Sequence, residues 1–422
     1  MQGRYGWMMV AMLFIAGAVS FLDRAALSVV APLILRDLDL TASSLGVIFS
    51  AFFIGYSALC FLGGIAADRY GPRRVLLYAM VFWSLFCGLT AATTTFASLL
   101  VVRVLFGMAE GPFLSNANKL IGNWIPVSRQ AMAISIAQSG TTLGGAIAGP
   151  IVGALALAYG WRVSFVVIAG AGFVWVIGWQ LLGRSAPTDS SKVAEPETHD
   201  RPPIAEEGTP GTLVSYLREP AVLAIGFAFF GFGYLLYFFL SWFPSYLTME
   251  RHLSIKDMSV VSTIPWLMGF IGYLLGGAAS DYVLKVTGRA VYARKIVLVV
   301  CLLAAAVCVA IAGYADSVWS AAALMGTSIL FLYMSANSYW ALILNMIPKE
   351  KVGAVGGYVH MFGNFAGIAA PTVTGYIVQK TGVFNSAFAL AGGVALLGSV
   401  CIAVFVQGQP PREGVPMQER AA

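Results

Sequence analysis

Gly64-Ile65-Ala66-Ala67-Asp68-Arg69-Tyr70-Gly71-Pro72-Arg73-Arg74 is a short charged break between two long uncharged stretches. No Asp, Glu, Lys or Arg occurs between Asp39 and Asp68, nor between Arg74 and Arg103. Each stretch is longer than the ~20 apolar residues a helix needs to cross a bilayer. The same rhythm continues outward to both ends of the chain. It predicts twelve membrane helices near residues 7–33, 44–67, 75–93, 97–118, 131–156, 161–182, 220–247, 260–282, 294–314, 318–343, 354–378 and 384–406. Twelve such spans use ~240 positions, close to the 59% apolar share of the 422 residues. Only 10% of residues are charged, against ~25% in soluble domains. The composition excludes an ordinary soluble enzyme and a disordered chain. It also disfavours a membrane β-barrel, whose strands alternate between apolar and polar residues.

The expected fold is therefore an all-α membrane protein with twelve transmembrane helices in two six-helix bundles. Residues 184–212 are polar and rich in Pro, Ser and Glu, and read as a flexible cytoplasmic linker. That places the N-terminal bundle at 1–183 and the C-terminal bundle at 213–406, with a flexible cytoplasmic tail at 407–422. Counting Lys and Arg in the loops gives eighteen on the side of the termini and five on the other. Arg24 and Arg103, inside spans, complete the 25. This bias predicts cytoplasmic termini in a cell inner membrane.

The opening stretch has a counterpart in the second half, Gly277-Ala278-Ala279-Ser280-Asp281, again followed by basic residues. Retention of cations on the inner side explains the basic residues alone. A glycine four positions before an aspartate in both halves asks for more. Glycine permits close helix approach, and the aspartate can accept hydrogen bonds from a neighbouring helix end. Gly64, Asp68, Arg69, Arg73, Gly277 and Asp281 are accordingly candidate conformational-gating residues. The five cysteines lie in apolar stretches without CxxC or Cys/His spacing, so they read as small core residues. The net charge of +6 comes without a basic patch interleaved with aromatics, which argues against nucleic acid.

Gly64-x-x-x-Asp68-Arg69-x-Gly71-x-Arg73-Arg74 resembles the loop 2–3 signature of the major facilitator superfamily. Arg103-x-x-x-Gly107-x-x-Glu110-Gly111 and Gly149-Pro150-Ile151-Val152-Gly153 resemble two more of its signatures. Within it, Phe21-Leu22-Asp23-Arg24-Ala25-Ala26-Leu27-Ser28, Ser50-Ala51-Phe52 with Tyr56, Leu240 to Leu247 and Phe362 to Ile368 are similar to the anion:cation symporter family. The resemblance runs over nearly the whole chain. It implies two bundles rocking about a central site and cotransporting organic anions with protons. Several positions depart from the galactonate-type pattern: Phe21 for a tyrosine, Cys60 and Thr141 for glutamines, and His360 for an asparagine. These departures remove hydroxyl-binding partners, so a smaller or more apolar acid stands level with a sugar acid.

Only four charges fall deep inside the spans: Asp23, Arg24, Arg103 and Glu110. Each costs roughly 2.5–3.5 kcal/mol at a helix centre, and apolar residues would stabilise better than buried pairs. Function is the better explanation. Arg103 and Glu110 share a helix face but stand about 10.5 Å apart along the axis, so each needs another partner. Asp23 and Arg24 point about 100° apart and face different neighbours. Arg24 offers a planar fork for a carboxylate. It is assigned as the substrate anchor, Asp23 and Glu110 as proton-coupling groups, and Arg103 as the partner that modulates them. Tyr56, Thr141, Asn337, Trp340, His360 and Asn364 complete the candidate binding set. The expected partners are a small organic monoanion, protons and the lipid bilayer, with no cofactor or metal and a monomeric chain. Exchange or export remains the alternative to uptake, and a non-transporting sensor is a further one.

Overall fold

The computed structural model describes residues 2–184, 213–347 and 349–406. The expected linker, apart from Arg184, and the tail at 407–422 lie outside the described residues. So do the side chains of Asp68 and Asp281 and the surroundings of Gly64.

The first half comprises α1 (Gln2–Val29), α2 (Ala31–Asp37), α3 (Ala42–Tyr70), α4 (Pro72–Leu89), α5 (Phe96–Glu110), α6 (Phe113–Trp124), α7 (Val127–Tyr159) and α8 (Trp161–Leu182). The second comprises α9 (Leu213–Leu217), α10 (Pro220–Met249), α11 (Ile255–Val261), α12 (Thr263–Thr287), α13 (Ala290–Ala312), α14 (Val318–Met346), α15 (Lys349–Thr381) and α16 (Asn385–Phe405). Eleven segments are long and apolar enough to span a membrane. The twelfth is the 33-residue α15, whose His360, Asn364, Thr372 and Thr374 dilute its apolar character. The architecture is the expected twelve-helix, two-bundle fold.

Three predicted spans are broken where the sequence was read as continuous. Pro32 sits in the first turn of α2 and separates it from α1. Gly111 and Pro112 end α5 and start α6 anew, because proline lacks the N–H that would continue the ladder. That break leaves Glu110 as the last residue of α5, in mid-span rather than mid-helix. Ser262 separates α11 from α12. The fourth spanning segment of each half opens with the same device. Thr95 with Ser98, and Ser317 with Ser320, each form a capping box that satisfies two otherwise orphaned N–H groups. Gly71 turns the chain from α3 into α4 at φ 83°, a left-handed conformation that costs glycine little.

Glycines draw the helices of each half together. A Cβ on Gly107 would stand 1.9 Å from the Phe52 carbonyl of α3. In the second half, one on Gly276 would stand 2.3 Å from the Met334 carbonyl of α14. The expectation for Gly277 is corrected here. A methyl on it would meet nothing within 4 Å, whereas the preceding Gly276 makes the close approach. Its first-half counterpart is Gly63, where a Cβ would lie 2.5 Å from Pro112. The rotation of α12 decides which of two adjacent glycines faces a neighbour.

The halves are joined at the end opposite the chain termini. The Ser43 N–H donates to Gln379 (3.2 Å), Ser50 donates to the Ile368 carbonyl (2.6 Å), and Thr263 donates to the Ala146 carbonyl (3.0 Å). Cross-half ring pairs, Phe21–Trp266, Phe53–Tyr237 and Phe49–Trp242, lie just inside this seam. A cavity of about 10 Å³ between α1, α7, α10 and α12 leaves room for roughly one water.

Candidate functional site

The four charges singled out above are the only charged side chains in the buried set of the described residues. They converge from α1 and α5. Arg24 donates from both Nε (2.9 Å) and Nη2 (2.7 Å) to one Glu110 oxygen, Oε1. Ser20, one turn earlier on α1, donates to the same oxygen. Its i, i+4 spacing from Arg24 puts both on one helix face. The second Glu110 oxygen, Oε2, is buried without a hydrogen-bond partner. Gly107 and Gly111 hold α5 against α3, which is what brings the end of α5 to this depth.

Aromatic rings wall the guanidinium. Arg24 lies over Phe21, Phe52 and Tyr56, with ring centres 5.2, 4.6 and 4.9 Å away. Such faces attract a cation and exclude water at once. Asp23, pointing elsewhere from the same turn, accepts from the Trp83 indole N–H of α4 and lies against Cys87. Its other oxygen is unpartnered. Arg103 makes no ion pair among the described residues. Its guanidinium rests over Phe52 (5.3 Å) and Phe106 (5.1 Å), near enough to feel both carboxylates, and its Nε is unpartnered. The separation of Arg103 from Glu110 is thus as the helix geometry requires, and Glu110 turns to α1 instead.

The second half contributes no buried charge among its described residues. Near Arg24 it supplies neutral polar groups. Tyr237 of α10, Tyr333 of α14 and His360 of α15 all lie within electrostatic reach of the guanidinium. His360 packs 6.3 Å from Trp340 and 6.0 Å from Phe229. Asn364, one turn further along α15, is buried, and Asn337 of α14 is half-buried. Trp340 is 41% exposed, so it lies at the edge of this cluster and not in its core.

Thr141 stands apart. Its hydroxyl donates to the Gln138 carbonyl (2.7 Å) and its methyl meets Gly17 of α1, with no described contact to Arg24. Of the gating candidates, Arg69 lies over Tyr70 (5.4 Å) and Arg73 donates to the Gln180 carbonyl of α8 (3.1 Å). Gly149 and Gly153 bring α7 against Ser259 of α11, placing that signature at the seam between halves.

Ser20, Trp83, Tyr237 and Tyr333 were missed in the sequence. The spacing of Ser20 from Arg24 was a usable signal. The three aromatics carried none, being unremarkable members of a chain that is 13% aromatic.

A family model described as the Major Facilitator Superfamily matches residues 13–371 and 290–421. The chain is 47% identical over 400 residues to a hexuronate transporter of Bacillus subtilis (strain 168), covering 94% of this chain and 93% of the relative. It is 31% identical over 405 residues to a probable sulfoacetate transporter of Cupriavidus necator, covering 94% and 93%. It is also 31% identical over 427 residues to a probable galactarate/D-glucarate transporter of Escherichia coli (strain K12), covering 96% and 95%. Among solved structures, a bacterial homolog of the human lysosomal transporter Spinster, inward-facing and occupied, superposes with a TM-score of 0.73 at 18% identity, covering 95% of each chain. A mutant of the nucleoside transporter NupG gives 0.72 at 14% identity, covering 94% of this chain and all of the other.

Proposed function

The chain belongs to the Major Facilitator Superfamily, and from that premise we propose that it is a proton-coupled symporter of a sugar-acid anion, working by alternating access. The observation that carries the reading is the Arg24–Glu110 pair. Both side-on donors of the arginine fork are taken up by one carboxylate oxygen in a buried site. A substrate carboxylate that seeks the same fork must compete with Glu110. Protonating Glu110 removes the competitor's charge and frees the fork, so proton and anion bind together. A charged Glu110 left unpaired would oppose passage of the site through the apolar interior. Asp23, held by Trp83, is the second proton-coupling group, and Arg103 biases both carboxylates from a position where it binds neither.

Two observations favour a sugar acid over a smaller apolar acid. Tyr56, Tyr237, Tyr333 and His360 restore around Arg24 the polar groups lost at Cys60 and Thr141. The 47% identity to a hexuronate transporter points to the same class. With the termini, the 184–212 linker and the 407–422 tail in the cytoplasm, the joined end faces outward. The chain acts as a monomer in the cell inner membrane, rocking the bundle of residues 1–183 against that of 213–406.

The test is uptake of radiolabelled galacturonate into proteoliposomes. An imposed gradient, acidic outside, should drive accumulation that a protonophore abolishes. Accumulation indifferent to the gradient would remove the proton from the mechanism.

A further inference from the structure

The two walls of the site differ in the kind of group they leave unused. In the first half the buried cations and acids number two of each, and Arg24 is already shared with Glu110. Arg103 has only first-half groups among its described electrostatic neighbours. From the second half, the groups near Arg24 are the phenols of Tyr237 and Tyr333 and the imidazole of His360. The Tyr333 hydroxyl and both His360 nitrogens are buried without a hydrogen-bond partner. Tyr339 and Tyr246 are tied down, Tyr339 donating to the Ala228 carbonyl and Tyr246 accepting from Arg251; Tyr234 is also without a partner but is not among the groups near Arg24. No carboxylate or cation stands beside His360 on its own helix, and the rings packed on it are Phe229 and Trp340.

A neutral phenol or imidazole can both donate and accept, which is what a sugar hydroxyl needs. A second carboxylate reaching that wall would be buried without a cation to pair with, which is strongly unfavourable. We propose that Tyr333 and His360, with Tyr237, are specificity residues that read the substrate's hydroxyls, so that the site admits polyhydroxy acids with one carboxylate and rejects the corresponding diacids. The inference rests on the reading of Arg24 as the carboxylate anchor, and it separates this chain from diacid carriers of the same fold. Specificity comes from leaving the diacid's second charge unpaired.

Binding to the purified full-length protein tests it, with galacturonate, galactonate, galactarate and hexanoate as probes. Galactonate and galactarate are both open chains and differ in whether the last carbon is an alcohol or a carboxylate. Galacturonate and galactonate should bind at least about tenfold tighter than galactarate. Tyr333→Phe keeps the ring and loses the hydroxyl, so galacturonate should weaken about fivefold with hexanoate unchanged, the size of one neutral hydrogen bond. His360→Gln should weaken galacturonate similarly and serves if the tyrosine variant misfolds. His360→Arg supplies the missing cation and should shift preference at least tenfold toward galactarate. Equal binding of galactonate and galactarate by the native protein would overturn the inference. So would equal losses of galacturonate and hexanoate in Tyr333→Phe. Failure of every acid to bind would sink the carboxylate-anchor reading itself, and this inference with it.

Discussion

The first six spanning segments bury two carboxylates and two guanidinium groups; the last six bury none among their described residues. Yet the halves share their scaffold, down to the capping boxes at Thr95 and Ser317 and the close-approach glycines Gly63 and Gly276. Packing has stayed symmetric while charge has not. The physical consequence is a division of labour. The groups proposed to exchange protons sit in one wall, so their mutual distances would survive the proposed rocking motion. The facing wall buries no charge among its described residues, so the proposed closing of the halves would bring no unpaired charge against the site. The proposed rocking would trade neutral cross-half contacts such as Ser50–Thr372 (2.8 Å) for others without breaking any ion pair seen among the described residues.

The largest expected effect attacks the charged wall directly. Arg24→Ala removes both donors of the fork. Two charge-assisted hydrogen bonds at roughly 1.5–3 kcal/mol each put the loss of anion affinity above about 100-fold. Arg24→Lys keeps a point charge without the fork and should recover part of it. Ligand-induced stabilisation that persists unchanged in Arg24→Ala would remove Arg24 from the site and erase the asymmetry.

Glu110→Gln comes next. Glutamine mimics the protonated acid, so the carrier should still bind substrate and exchange it between liposomes loaded on both sides. It cannot release a proton, so net uptake driven by a pH gradient should collapse. Uptake that still follows the gradient would move coupling to Asp23 alone. Loss of exchange in a folded protein would make the Arg24–Glu110 pair structural.

The shared scaffold yields a smaller effect. Gly276→Ala drives a methyl onto the Met334 carbonyl and should cost about 1–3 kcal/mol of stability. Gly277→Ala meets open space and should stay within about 0.5 kcal/mol of the native protein. Thermal unfolding in detergent reads the pair, and equal shifts would refute the assignment of the close approach to Gly276.

The smallest effect lies at the joined end. Asp37 accepts from Arg162 and from the Trp161 indole N–H, which hold its carboxyl below the ordinary carboxylate range. A depressed pKa gives stability that is present above the unfolded value and lost as pH falls through the folded one. The pair is exposed, so the effect is slight. Trp161 fluorescence should therefore change only below about pH 4, and Asp37→Asn should abolish that change. A transition near neutral pH would contradict the assignment.

Much of this was legible in the chain, for reasons that differ by residue. Spans, halves and the four intramembrane charges follow from local sums, since a charge in lipid is costly wherever it sits. Even the separation of Arg103 from Glu110 followed from helix rise alone. The kink at Gly111-Pro112 was visible as a sequence but not as a break, because proline is tolerated within membrane helices when neighbours satisfy the freed groups.

Tertiary structure alone decided who meets whom. Arg24 and Glu110 are 86 residues apart, and their pairing depends on how α1 and α5 are rotated and how deeply glycine lets α5 settle on α3. The rotation of α12 likewise chose Gly276 over Gly277, and on α7 the Thr141 hydroxyl turned to its own helix. Tyr237, Tyr333 and His360 came within electrostatic reach of Arg24 from three different helices of the other half. Hydropathy fixes which segments enter the bilayer because that free energy adds residue by residue. It is nearly indifferent to rotation about a helix axis, which close packing between helices sets instead.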